Sequence, residues 1–203
     1  MRLVLLSGLF AAVVIAANFM AVKAVDVLCF TLPAAVLCYP FSFVLGDLVT
    51  EFYGFRTTRK IVLLTFLLNA LAIGFLALAA VLPPSRRFAN DAAFRGVFLA
   101  APRILAASFT AFVLSGLLNS WLFDLVKRRG FPLLARSAAS TFCGVVVDSA
   151  LFIPLAFYGV FPARVLLLSI AGHILAKVVL GIGAGSPLTW CVVKWAAKKN
   201  VAG

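Results

Sequence analysis

Six apolar runs, each long enough to cross a bilayer, follow one another with short connections. This leaves the chain few ways to fold other than as a bundle of membrane helices. A span needs about 20 residues. The runs are Leu3 to Val22, Phe30 to Val49, Ile61 to Leu82, Pro102 to Phe123, Ala138 to Val160 and Val165 to Trp190. Only 12% of the residues are charged and the mean hydropathy is +1.16, too little polarity to clothe a soluble domain. The sequence therefore predicts one all-α, polytopic domain over residues 1–203, with six transmembrane helices set in the lipid bilayer. Arg2 and the run behind it resemble a secretory signal, and Ala21 to Ala24 resemble a cleavage site. The length of the run and the five that follow predict an uncleaved first helix.

Basic residues set the expected orientation. With both termini in the cytoplasm, the inner side collects eleven lysines and arginines, among them Arg56, Arg59, Lys60, Lys127, Arg128, Arg129 and Arg136, and the outer side keeps five. The predicted location is the inner (plasma) membrane, whose anionic leaflet suits a net charge of +12. Nucleic-acid binding is disfavoured, because the charges are scattered over loops rather than arrayed on one face. Cys29, Cys38, Cys143 and Cys191 show no CxxC spacing and read as packing residues, neither a disulfide frame nor a metal site.

Against this background the segment PFSFVLGDLVTEFYG, Pro40 to Gly54, carries Asp47 and Glu51 four residues apart, on one face of a helix. A carboxylate near the bilayer centre costs roughly 2.5 to 3.5 kcal/mol on insertion scales, so it is a functional candidate by default. Asp148 in the fifth run raises the same question. It can bind a ligand, or it can neutralise Lys177 as a structural ion pair. Glu51 lies nearer the inner interface, beside Arg56 and Arg59, where a surface pair with them and a ligand contact are equally expected. Arg103 is placed to snorkel to headgroups, and His173 to serve as a hydrogen-bonded packing residue.

A cut between Arg95 and Pro102 leaves three runs in each part, the arrangement of an inverted repeat with halves 1–95 and 102–203. Asn18 precedes Asp47 by 29 residues, Asn119 precedes Asp148 by the same 29, and the two pairs are offset by 101. Polar stripes also recur at helical spacing: Ser108, Ser115 and Asn119; Ser137, Thr141, Gly144 and Asp148; His173 and Lys177. These faces are expected to point inward, the serines and Thr141 mainly to let helices approach and hydrogen bond. Small residues such as Gly181 and Gly185 also permit a homodimer contact.

Enzyme chemistry finds little support. There is no GxxxxGK[ST] phosphate loop, and His173 is the only histidine. Ser186 stands 13 residues after His173, on a different side of a continuous helix, so a serine–histidine dyad fails unless the Gly183–Gly185 cluster breaks the helix.

PFSFVLGDLVTEFYGFRTTRKIV, from Pro40 to Val62, resembles the second helix and following basic loop of the queuosine precursor transporter family, also called the vitamin uptake transporter family. Asn18, RILAASF from Arg103 to Phe109, RSAASTFCGVVVDSALF from Arg136 to Phe152, and Lys177 agree in order. The resemblance implies a six-helix inner-membrane importer, without cofactor, of 7-deazaguanine bases such as 7-cyano-7-deazaguanine, 7-aminomethyl-7-deazaguanine or queuine, which feed transfer-RNA modification. One carboxylate can accept N1–H and the exocyclic amine of such a base as a fork. The chain departs from the family at Gly116 and Asn119, where many members carry Gln and Asp, and at Gly185–Pro187, where Asp-Thr-Pro is common.

The residues expected to line a midplane site for a nucleobase-like small molecule are Asn18, Phe41 (or its neighbour Phe43), Asp47, Asn119, Asp148 and Lys177. Glu51, Arg103, Ser140 and His173 are secondary candidates. Two other functions fit the same pattern: a substrate-binding subunit served by an external ATPase, with Ala12 and Ala16 docking on a scaffold, and a ligand-free assembly protein.

Overall fold

The computed structural model describes residues 2–21, 23–27, 30–85, 87–99 and 102–201. Val22 and Cys29, named above, and Arg86, one of the five outer basic residues, lie outside the described residues. The chain runs α1 (Arg2–Ala21), β1 (Ala24–Val27), β2 (Phe30–Pro33), a 3-10 turn (Ala34–Leu37), α2 (Tyr39–Val81), α3 (Asp91–Leu99), α4 (Pro102–Arg128), α5 (Leu133–Phe157), α6 (Ala163–Leu180), a π-helical turn (Gly181–Gly185) and α7 (Ser186–Val201). Among the described residues five helical stretches are long and apolar enough to cross a membrane.

The second of these stretches is 43 residues long, about twice what a bilayer needs. It does not run straight. Gly54 takes φ 77° and ψ 166°, a backbone that a residue with a Cβ rarely adopts. Thr50 and Thr58 are eight residues apart, about 12 Å along a straight helix, yet their hydroxyls lie 3.0 Å apart. Val49, Ile61 and Val62 share one apolar cluster with Phe10 and Val14. So α2 is a helical hairpin folded at Gly54, and its two arms carry the second and third apolar runs.

The first arm begins at Tyr39, not at Phe30 as the hydropathy suggested. Pro40, in the first turn, has no N–H to leave unsatisfied and suits a helix start. The residues before it form an antiparallel β-hairpin, with Val25 opposite Leu32 and Asp26 opposite Thr31, so the all-α expectation is corrected at this point. Non-helical backbone at membrane depth survives only where protein covers it. Leu32, Ala34, Ala35 and Val36 are buried, and the Ala34 N–H donates to Lys23 O at 2.8 Å.

Polarity is distributed inside out. Leu63, Leu64, Leu67, Leu71, Phe75 and Leu78 on the second arm of α2 are exposed, whereas Thr58, Thr65 and Asn69 on its other face are buried. A helix that turns leucine outward and hides threonine and asparagine has lipid for solvent. Helices α4 and α5 form the closest pair. A Cβ on Gly144 would sit 3.2 Å from Asn119 Cβ and 3.4 Å from Ser115 O, so glycine gives this approach room that a larger residue would tighten.

Each end of the bundle has its own clasp. At the basic end Glu51 takes Arg136 at 2.7 Å and Lys127 at 3.1 Å, while Lys127 Nζ also donates to Glu51 O. This corrects the expected pairing with Arg56 and Arg59, because the fold at Gly54 turns Glu51 toward the α4–α5 connection. At the far end Arg103 donates to Leu155 O and Tyr158 O, each at 2.7 Å. It closes orphan carbonyls at the end of α5 rather than reaching for headgroups.

Candidate functional site

Buried polar side chains from α2, α4, α5, α6 and α7 gather into two clusters, one around each aspartate. Asp47, on the first arm of α2, accepts from Asn119 Nδ2 at 3.1 Å and from Ser137 Oγ at 2.6 Å. Ser137 Oγ lies 3.0 Å from Ser186 Oγ, which brings in the start of α7. The π-helical turn makes this contact available. Gly185 packs against Val44, and Gly181 approaches Thr141 so closely that a Cβ would lie 3.1 Å from its Cγ2. The glycine run that the sequence marked as a helix break is this π turn.

Asp148, on α5, is held differently. Lys177 Nζ donates to its Oδ2 and Ser115 Oγ to its Oδ1 at 3.4 Å. The same Lys177 Nζ stands over the Tyr39 ring, 3.2 Å from the centroid. Lysine, aspartate and aromatic face thus form one buried assembly, in which the cation meets a carboxylate on one side and a π cloud on the other. Of the two roles open to Asp148, ligand binding or neutralising Lys177, the ion pair is present in the structure.

His173, one turn before Lys177, is buried between Tyr39 (centroids 6.2 Å apart, edge-on) and Phe152 (5.8 Å). Neither ring nitrogen has a hydrogen-bond partner among the described residues, so the hydrogen-bonded role expected of it is not what the structure has. His173 and Ser186 belong to different clusters, and no dyad forms.

Two narrow clefts run beside these clusters, each with room for about one water molecule. The inner cleft is lined by Asp148, Asn119, Ser115 and Gly116, with Phe43 and Tyr39 as its aromatic walls. The outer cleft, on the β-hairpin side, is lined by Asn18, Ser108, Pro33 and Phe152. Tyr39, Ser42 and Phe112 face both. Asp47 lines neither. It touches the inner cleft only through Asn119, and its effect there is on orientation. A carboxylate can only accept, so it fixes the Asn119 amide with Nδ2 toward Asp47 and leaves Oδ1 facing elsewhere. That Oδ1 is buried and has no hydrogen-bond partner among the described residues.

The other expected residues fall around this core. Asn18 accepts from Ser108 at 2.8 Å and donates to Val14 O. Its counterpart under the offset of 101, Asn119, binds Asp47, but Asn18 does not bind Asp148, so the polar contacts of the two halves are not equivalent. Ser140 is buried and donates to Ser137 O at 3.2 Å, beside the Asp47 cluster. Phe41 is 52% exposed and lines neither cleft, whereas Phe43, two residues on, is buried and faces the inner one. The shift from 41 to 43 turns the side chain about 200° around the helix. Sequence reasoning missed Tyr39 and Ser42 as lining residues and gave Ser115 a packing role only. Tyr39 stands at a helix start, where no stripe of polar residues marks it.

An apolar exterior around a polar interior, with five helical stretches long and apolar enough to cross a bilayer, defines a multi-pass membrane protein. The chain belongs to the family described as "Putative vitamin uptake transporter", whose model matches residues 33–192. It is similar to a "Probable queuosine precursor transporter" of Bacillus subtilis, 30% identical over 156 residues, 74% of this chain and 67% of that protein. A protein of the same description from Haemophilus influenzae is 29% identical over 122 residues, 60% of this chain and half of that one. No solved structure matches this chain. The protein is therefore a membrane transporter.

Proposed function

We propose that this transporter imports 7-deazaguanine bases, the precursors of queuosine, across the inner membrane. The observation that carries the reading is Asn119, its Nδ2 held by Asp47 and its buried Oδ1 without a partner among the described residues, on the cleft that Asp148 also lines. Two acceptors on one cleft ask for a ligand edge rich in N–H donors. A guanine-type edge presents N1–H beside an exocyclic amine, which Asp148 can take as a charge-assisted fork once Lys177 yields. Asn119 Oδ1 can take a further N–H, and Phe43 and Tyr39 offer faces for the base plane. In this reading Asp47 orients Asn119 and does not touch the ligand.

The cleft is too narrow for a base as it stands, so the helices must part to admit one. With the arms of α2 counted separately the bundle has six spans in one membrane domain. Halves 1–95 and 102–203 rock about the site, and the basic clasp at Glu51 closes the cytoplasmic end, where both termini lie. The test is rescue of queuosine content in a strain unable to make its precursors, given one candidate base at a time. Rescue by none of the three bases overturns the substrate class.

A second reading, a binding subunit driven by an external ATPase, draws on Ala12 and Ala16. Both are exposed on α1 at helical spacing, a surface fit for docking on a scaffold. Uptake into vesicles holding this protein alone decides against it. A third, a ligand-free assembly protein, predicts that radiolabelled deazaguanines do not bind the purified chain.

A further inference from the structure

The two clefts are separated by a wall of three residues, and one of the three is gripped by a charge. Tyr39, Ser42 and Phe112 line both voids. Phe112 is set in the apolar packing, its ring 6.1 Å from that of Phe10. Ser42 is tied to its own helix, donating to Tyr39 O at 2.8 Å. Tyr39 differs from both. It sits in the first turn of α2, next to the β-hairpin and 3-10 segment, where the helix's first N–H groups have no intrahelical acceptor. Its ring is held from one side by Lys177 Nζ at 3.2 Å, and Lys177 is itself held by Asp148. This cation, set between a carboxylate and an aromatic face, links the state of Asp148 to the position of the ring.

We propose that Tyr39 is the movable partition between the outer and inner clefts, and that Lys177, anchored on Asp148, is its latch. While Lys177 stays between the carboxylate and the ring, the inner cleft is shut off from the outer one. When Lys177 leaves Asp148, the ring loses its cation and the two clefts join. In one respect this rests on the function proposed above: the ligand that displaces Lys177 is the one that donates to Asp148. The partition itself requires no ligand and is tested without one. Tyr39 is thus a positioning residue whose ring face, not its hydroxyl, matters.

The experiment uses full-length protein in nanodiscs, with both faces open to a charged, membrane-impermeant thiol reagent. Gly116→Cys places the reporter in the inner cleft only, at a position where a Cβ meets nothing closer than Val62 at 3.8 Å. Modification is read on the peptide carrying residue 116 by mass spectrometry. With Tyr39 intact the reporter reacts slowly. Tyr39→Leu, and Tyr39→Met as a variant nearer in volume, are expected to speed labelling about tenfold or more, within the range that a desolvated cation–π contact supports. Tyr39→Phe keeps the ring face and is expected to label at the parental rate. A merely structural tyrosine would not sort the variants by aromaticity. Fast labelling with Tyr39 intact, no acceleration in the Leu or Met variants, or equal acceleration in the Phe variant would each overturn the latch, whatever the transporter carries.

Discussion

The two buried aspartates, on α2 and α5 and 101 positions apart in the sequence, are solved differently. Asp148 has a cation: Lys177 neutralises it, Ser115 bonds its other oxygen, and both the aspartate and Ser115 line a cleft. Among the described residues Asp47 has only neutral donors within hydrogen-bond distance, Asn119 and Ser137, and it lines neither of the two clefts. The carboxylate that faces the space is covered by the Lys177 cation. The one that does not face it is spent on fixing the geometry of a neighbour. Burial of an acid in a membrane protein therefore does not by itself say that the acid touches cargo.

The largest effect should come from breaking the charged cluster. Lys177→Met leaves Asp148 buried without its cation, and removing one partner of a buried pair costs about 3 to 5 kcal/mol. Thermal unfolding in detergent should show a strongly destabilised or unfolded protein. The charge-swapped pair Asp148→Lys with Lys177→Asp should recover folding without recovering uptake. Recovered uptake would make the pair purely structural.

A wedge between the clusters should rank next. Gly144→Ala brings a methyl within 3.2 to 3.4 Å of Asn119, Phe43 and the Ser115 carbonyl. The expected cost is about 1 to 3 kcal/mol, with uptake reduced further than the loss of folded protein accounts for.

Asp47→Asn sharpens the contrast at the other aspartate. One acceptor oxygen must then serve two donors, Ser137 and Asn119, so the Asn119 amide is free to turn. The expected cost in stability is about 1 kcal/mol, with insertion intact and uptake abolished. Uptake at the parental level would remove the cluster from the site.

The smallest effect is expected at Phe41. Phe41→Leu should change stability by no more than about 0.5 kcal/mol and leave uptake unchanged, whereas Phe43→Leu should lower uptake, both measured in the same rescue strain.

Much of the fold was legible because helix formation in lipid is a local matter. Each apolar run must satisfy its own backbone, so length and composition announce it. Asp47, Asn119, Asp148 and Lys177 were legible as inward-facing because lipid refuses them. The β-hairpin was not, since Phe30–Pro33 is apolar enough to read as the start of a helix until burial against the rest of the chain supplies an alternative. Nor was the choice between Phe41 and Phe43, which depends on how the first arm of α2 is rotated.

What the amino-acid order determined alone is therefore a mostly helical membrane protein, its family and most of the polar residues it hides. Tertiary structure decided which polar residue meets which: Glu51 with Lys127 and Arg136 instead of its neighbours Arg56 and Arg59, Lys177 with both Asp148 and Tyr39, Asp47 with Asn119. The physical reason is range. A helix closes its hydrogen bonds within four residues, whereas these partners stand 72 to 90 positions apart for Asn119 and Ser137 with Asp47, and 90 for Asn18 with Ser108, and meet only where packed helices bring them together.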